Sequence, residues 1–292
     1  IETNATLLTN DVIEELYKNH IGIGISIDGD RKCHDLQRTF VSGKGSYDTV
    51  KKNLLQAQRY YKNKIGTITT ITKQTAVHIE KIIEHLVLDL HISNIKLNFV
   101  HASTYTHGQN QCLNTQEIAD TELRILYKII ELQERGYDVM EHNIFIKLKN
   151  LLFREYADIC LSCGCCGGKK MIVFDMDGNI YPCELTDDAS FVIGSIYKKE
   201  SLIEQIKMTI DKDKAFFKMK KAVECEKCYW KFFCRGGCTV RALSEKRQME
   251  VIDIDHIECA INQVLYPALM ELVLRKPHIV NQMLGEDLLV DE

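Results

Sequence analysis

Ten of the twelve cysteines lie between positions 160 and 259, and their spacing constrains the chain more than any other feature. Cys225 and Cys228 enclose two residues, Cys228 and Cys234 five, and Cys234 and Cys238 three. Thiols this close bring several sulfurs around one region, which suits a metal centre better than paired bridges. Dense disulfides also belong to small secreted chains that cannot build a core. This chain has 292 residues, 45% of them hydrophobic, which is ample for a core. Its first residues, from Ile1 to Thr6, lack the basic and apolar regions of a secretory signal.

Written out, the framework is Cys165-x12-Gly178-x4-Cys183, a gap, Cys225-x2-Cys228-x5-Cys234-x3-Cys238, a second gap and Cys259. Seven thiols exceed the needs of one four-ligand site. Iron–sulfur clusters, each held by up to four cysteines, and a pair of four-cysteine zinc sites both satisfy the spacing. The net charge of −4 provides no basic field for nucleic acid. No run approaches the roughly 18–20 consecutive apolar residues of a membrane span. Neither nucleic acid nor a membrane is therefore expected as a partner.

The first half alternates helical and strand patterns. A helix from Thr9-Asn10-Asp11 to about His20 precedes a strand over Ile21–Ile27, which stops at the Asp28-Gly29 turn. Ser46 is placed to cap a helix with Val50, Leu54 and Leu55 on one face. Strands over Ile65–Ile71 and Ile95–Val100 flank a helix with Ile79, Ile82, Ile83 and Leu86 inward. A longer helix covers about Thr115–Arg135. Repeated strand–helix units predict a parallel sheet covered by helices. Beyond about 150 the strands shorten, Asp177-Gly178 marks a hairpin, and helices are expected near Ser201–Met208 and Ile257–Leu274. The expected division is 1–150 and 151–292.

The cysteine framework resembles the SPASM domain of radical S-adenosylmethionine (radical SAM) enzymes, over roughly residues 160–270. Thr3-Asn4-Ala5-Thr6-Leu7-Leu8 is similar to the TNGTLL stretch after the third barrel strand of that superfamily, with Ala5 in place of Gly. Ile25-Ser26-Ile27-Asp28-Gly29, His34-Asp35, Arg38 and Gly43-Lys44-Gly45-Ser46-Tyr47 resemble its fourth-strand stretch. The resemblance implies an α/β fold. A partial (β/α) radical SAM barrel without its first strand–helix units would be followed by a small cysteine-rich α+β SPASM domain ending in a helix. The superfamily's C-x3-C-x2-C triplet, which holds the radical-generating cluster, does not occur in residues 1–150. It is expected on a segment before Ile1.

Carried over residue by residue, the resemblance assigns Cys225, Cys228, Cys234 and Cys259 to a second auxiliary 4Fe–4S cluster. Cys238 crosses back to join Cys165 and Cys183 on a first, and Cys160, Cys163 and Cys166 compete for its remaining position. Ser26, Asp28 and Asn4 become candidates for S-adenosylmethionine (AdoMet), against plainer readings of Ser26 as a strand-end hydroxyl and Asp28 as a turn former. Glu184, directly after Cys183, is a candidate catalytic base or a surface carboxylate. Tyr229, Trp230, Phe232 and Phe233 would shield a cluster from water. Cys33 and Cys112 read as structural.

The implied function is maturation of a peptide or protein substrate through hydrogen abstraction, with cysteine thioether cross-links first and formylglycine formation on a sulfatase second. A third possibility is an electron-transfer or peptide-binding module without catalysis. Implied partners are the substrate and an electron donor such as flavodoxin or ferredoxin, in the cytoplasm.

Overall fold

A computed structural model describes residues 1–101, 108–155, 160, 165, 167–168, 170–186, 189–212, 223–244 and 254–285. The chain forms two compact units. One comprises Ile1–Val100, Gln116–Leu148 and the chain from Val264 onward; the other comprises His101–Thr115 and Lys149–Gln263.

The first unit is built on five parallel strands: β1 (Glu2–Thr3), β2 (Gly24–Ser26), β3 (Gly66–Ile71), β4 (Asn94–Phe99) and β5 (Met140–Glu141). Their order across the sheet is their order in the chain. Winding that never reverses keeps successive crossover helices on one side, as in a (β/α) barrel, whereas a doubly wound sheet reverses at a switch point. Burial alternates accordingly. Ile25, Thr67, Thr69, Ile71, Ile95 and Leu97 are buried, while Gly24, Ser26, Ile68, Thr70, Lys96 and Asn98 on the opposite face are half-buried.

The connecting helices are α1 (Asn10–Lys18), α2 (Arg31–Gln37), α3 (Tyr47–Tyr61), α4 (Lys73–Ala76), α5 (Ile79–Glu84) and α6 (Thr115–Glu134). The inward positions expected of α5 are buried: Ile79, Ile82, Ile83, and Leu86 in the π-helical turn that follows. Two expectations for α3 fail. Leu55 is 41% exposed, because it sits one position past Leu54 and turns off the buried stripe. Ser46 does not cap the helix with its side chain: its hydroxyl donates to the Arg38 carbonyl at 2.8 Å, and the Asp35 carboxylate takes the Tyr47 N–H at 2.9 Å instead.

Helix α7 (His142–Phe153) follows β5. The C-terminal segment was expected in the cysteine-rich part, yet from Val264 onward it belongs to the first unit. Its Leu265, Tyr266, Leu269, Leu272, Ile279 and Val280 are core residues, Lys147 Nζ lies 5.5 Å above the Tyr266 ring, and Lys276 pairs with Glu134 at 2.6 Å. Apolar burial outweighs proximity in sequence to the cysteines.

The second unit holds an antiparallel sheet of β6 (Val173–Phe174), β7 (Asn179–Tyr181) and β8 (Gly194–Ser195). Asp175 Oδ1 accepts the N–H groups of Asp177 and Asn179 and so shapes the predicted hairpin turn. Gly178 completes it at φ +77°, where a Cβ would meet Ile196 and Tyr197 at 2.7 and 2.6 Å. Helices α8 (Leu202–Lys212), α9 (Val223–Lys227), α10 (Lys231–Cys234) and α11 (Thr239–Ser244) follow. Ser201 and Glu204 form a reciprocal cap on α8. Helix α12 (His256–Arg275) begins in this unit and ends in the first, and α13 (Pro277–Leu284) closes the described chain. By length and composition α12 meets the measure of a membrane span, which no run of consecutive apolar residues had signalled.

Candidate iron–sulfur sites and the sheet face

Two separate groups of thiols form within the second unit. Cys183, which follows β7, packs with Cys165 and Cys238 against Val240, Met171, Leu185 and Phe191. The Leu185 N–H donates to Cys183 Sγ at 3.3 Å. Burial pushes the Cys183 thiol up to about 12; the Leu185 N–H opposes this, and Glu184, Cys238 and Cys165 add to it. Such a sulfur is a neutral thiol at pH 7 unless a metal ion displaces its proton. Burial likewise raises Cys238, while the Arg241 charge and the N–H groups of Arg241 and Val240 pull it back.

The second group lines one pocket: Cys225 from α9, Cys228 beyond it, Cys234 at the end of α10, and Cys259 in the first turn of α12. Trp230, Lys231, Gly236, Asp255 and Gln263 complete much of its wall. The Cys259 thiol is raised by burial and then by Cys228, and Gln263 Nε2 donates to Cys228 Sγ at 3.6 Å. Among the described residues, no three His, Cys, Asp or Glu side chains converge as they would around a single metal ion. The four thiols surround a space rather than a point. The donor chemistry of both groups, and the pocket among the four thiols of the second, fit polynuclear iron–sulfur clusters.

The structure therefore brings together the seven framework cysteines as three and four, with Cys238 leaving its sequence neighbours for the other group. Cys160 is exposed. Cys163, Cys166 and the basic run Lys218, Lys220 and Lys221 lie outside the described residues. The aromatic shield is only partial. Trp230 lines the pocket and packs edge-on against Phe233, with ring centroids 6.2 Å apart, but Tyr229 and Phe232 are 94% and 71% exposed. Tyr229, before α10, and Phe232, within it, both face outward. Glu184 is exposed.

In the first unit Ser26 ends β2 on the half-buried sheet face, in register with Ile68 and Lys96. Its hydroxyl makes no hydrogen bond among the described residues, so the plainer reading of a locally bonded serine finds no support. Asp28 is only 1% exposed, and its carboxylate is already engaged: it accepts from Arg38 Nε at 2.6 Å, Gln37 Nε2 at 2.9 Å and the Thr70 N–H at 2.9 Å. His34, also buried, accepts the Asp28 N–H at Nδ1 and meets Ser46 Oγ at Nε2, 3.0 Å away. A Cβ on Gly45 would fall 2.1 Å from Asp35 Cγ. The fourth-strand motif is thus an interlocked polar clasp that fixes the loop after β2. Asn4 Oδ1 accepts the Thr6 N–H and hydroxyl, closing a turn in which Ala5 is buried at φ +56°. That left-handed backbone is the physical reason for glycine there in the resembling stretch.

Sequence reasoning missed Asp255 and Arg241. Asp255 is 3% exposed and sits immediately before α12; its carboxylate receives Arg241 Nη2 at 2.7 Å and the Cys238 N–H at 2.7 Å. The capping pattern Asp255-x-x-Glu258 was the available signal.

No family model matches the chain. Over 241 residues, 82% of the chain, it is 26% identical to the cysteine-type anaerobic sulfatase-maturating enzyme of Clostridium novyi. Over 254 residues it is 24% identical to the serine-type anaerobic sulfatase-maturating enzyme of Bacteroides thetaiotaomicron. It spans 63% and 60% of their respective lengths. Among solved structures, native anSMEcpe with bound AdoMet and the Cp18Cys peptide aligns over 94% of this chain and 75% of its own, with TM-score 0.80 and 20% identity. Streptococcus suis SuiB bound to S-adenosylmethionine aligns over 88% of this chain and 59% of its own, with TM-score 0.63 and 17% identity. In sequence the chain is similar to the anaerobic sulfatase-maturating enzymes, and in fold it is similar to anSMEcpe and SuiB.

Proposed function

We propose that the protein is a radical SAM maturase that oxidises a cysteine or serine side chain in a sulfatase-type peptide or protein, with two auxiliary 4Fe–4S clusters in its second unit. The observation that carries this reading is the sorting of seven cysteines into two groups, with Cys238 crossing from one to the other. Relatives of both cysteine and serine type favour formylglycine formation over the thioether chemistry placed first on sequence grounds. Likeness to SuiB, which has also been solved bound to the precursor peptide SuiA, keeps cross-linking of a peptide as the second reading.

Cys165, Cys183 and Cys238 would hold the first cluster, and Cys225, Cys228, Cys234 and Cys259 the second. When bound, such clusters supply one-electron redox capacity. The chain's own contribution is placement. Leu185 and Val240 bring N–H groups and apolar cover to the first site, and Trp230 limits water at the second. The half-buried face with Ser26, Lys96 and Asn98 offers polar groups for AdoMet, held in place by the Asp28 clasp. A low-potential donor such as a flavodoxin or ferredoxin supplies electrons.

Anaerobic reconstitution tests the reading. The chain should bind about eight irons with matching sulfide. Cys183→Ala/Cys238→Ala and Cys225→Ala/Cys228→Ala should each reduce this to about four. Stoichiometric zinc without sulfide would overturn it. In a form of the protein that carries a C-x3-C-x2-C triplet, sulfatase peptides carrying cysteine or serine should yield an aldehyde by mass spectrometry; a cross-linked product instead would establish the second reading.

A further inference from the structure

The first thiol group ends on Cys238 and the second on Cys259, and one buried ion pair touches the backbone of both. Asp255 Oδ2 accepts the Cys238 N–H at 2.7 Å. Asp255 Oδ1 accepts the Glu258 N–H at 3.2 Å, which makes Asp255 the N-cap of α12, and its carbonyl accepts the Cys259 N–H at 2.9 Å. Arg241 answers from α11 with Nε and Nη2, at 3.0 and 2.7 Å from Asp255 Oδ2, and its Nη2 reaches Glu258 Oε2 at 3.3 Å. Gly237, at φ +69°, makes room: a Cβ there would lie 2.7 Å from Asp255 Oδ2. The carboxylate is 1% exposed and the guanidinium side chain 23%.

We propose that Arg241 and Asp255 form a positioning strut that fixes Cys238 and Cys259 relative to one another and sets the electrostatic bias of the first cluster against the second. The proposal rests on the cluster assignment above. Its charges lie where screening by water is weak, so they act on a neighbouring cluster more strongly than surface charges would. A positive charge favours the reduced, more negative state of a cluster and raises its potential, and a carboxylate does the reverse. The charges of Arg241 and Asp255 act on the Cys238 sulfur in opposite senses, that of Arg241 the more strongly. Asp255 and Glu258 act on Cys259. The strut also explains how the chain sends Cys238 to one site and Cys259 to the other: the same carboxylate holds one by its N–H and caps the helix that carries the other.

The test uses the reconstituted chain and reads the potential of each cluster in a redox titration followed by electron paramagnetic resonance. The Cys225→Ala/Cys228→Ala background isolates the first cluster. Arg241→Gln should move its potential down and Asp255→Asn should move it up, because Asp255→Asn leaves the guanidinium with only Glu258 to compensate it. Arg241→Lys should recover most of the Arg241→Gln shift. Glu258→Gln, which leaves the Asp255 bonds intact, should shift the potential the same way as Asp255→Asn and by less, so the proposal stays open to refutation if Asp255→Asn fails to assemble. Shifts of the same sign for Arg241→Gln and Asp255→Asn, or no shift in any variant, would overturn the strut. Absence of iron from the unmutated chain would overturn the cluster assignment itself, a separate outcome.

Discussion

Glu141, at the end of β5, offers a perturbation whose size and sign follow from the structure. It is 3% exposed; Oε1 accepts the Leu97 N–H at 3.0 Å and Oε2 the Ile144 N–H at 2.8 Å, so it ties β4 to the start of α7. Burial pushes its carboxyl from 4.5 up to about 7, against the N–H groups of Ile144, Leu97 and Asn143. Below pH 4.5 the proton is held in both the folded and unfolded states. Between 4.5 and 7 the unfolded chain releases it and the folded chain keeps it, so stability falls as pH rises through this window and levels off above. The gap corresponds to about 3 kcal/mol. Glu141→Gln abolishes the titration, and its amide cannot accept one of the two N–H groups, a cost of about 1–3 kcal/mol at every pH. Unfolding midpoints of both proteins from pH 4.5 to 8 should therefore converge or cross. Wild type should lead at low pH, and the difference should change by roughly 6–12 °C for a unit of this size. Comparing the two cancels every other titrating group. A constant difference, or a wild-type lead that grows with pH, would refute the reasoning.

Two further outcomes are expected. Arg38→Met strands the buried Asp28 carboxylate; because Gln37 and the Thr70 N–H remain, the loss falls near the lower end of about 3–5 kcal/mol for breaking a buried pair. Adding Asp28→Asn should recover at least half of the lost thermal midpoint; no recovery would mean that the clasp acts by shape and not by charge. Gly178→Ala places a Cβ against Ile196 and Tyr197 at a left-handed backbone, and should reduce bound iron to about four by displacing Cys183. Retention of about eight irons would separate the hairpin turn from the first site.

Much of the molecule was legible in its residues. Alternation of Ile95, Leu97 and Phe99 and the helical spacing of Ile79, Ile82 and Ile83 are local consequences of backbone period, and both appear where expected. Cys225, Cys228 and Cys234 line one pocket, because residues so close in sequence need no long-range folding to meet. Leu55, Tyr229 and Phe232 lose the buried place to a sequence neighbour, Leu54 or Trp230, whereas Ser46 loses the cap to Asp35, which folding brings from α2.

The sequence by itself determined that the chain winds as strand–helix units and carries a dense, closely spaced set of thiols. Period and spacing are written residue by residue. Only the tertiary structure decided that the chain from Val264 onward returns to the first unit, that Asp28 is consumed by an internal clasp, and that Arg241 and Asp255 meet beside Cys238. Those outcomes turn on burying apolar area and pairing buried charge between segments far apart in the chain, and local sequence does not encode which distant partner wins.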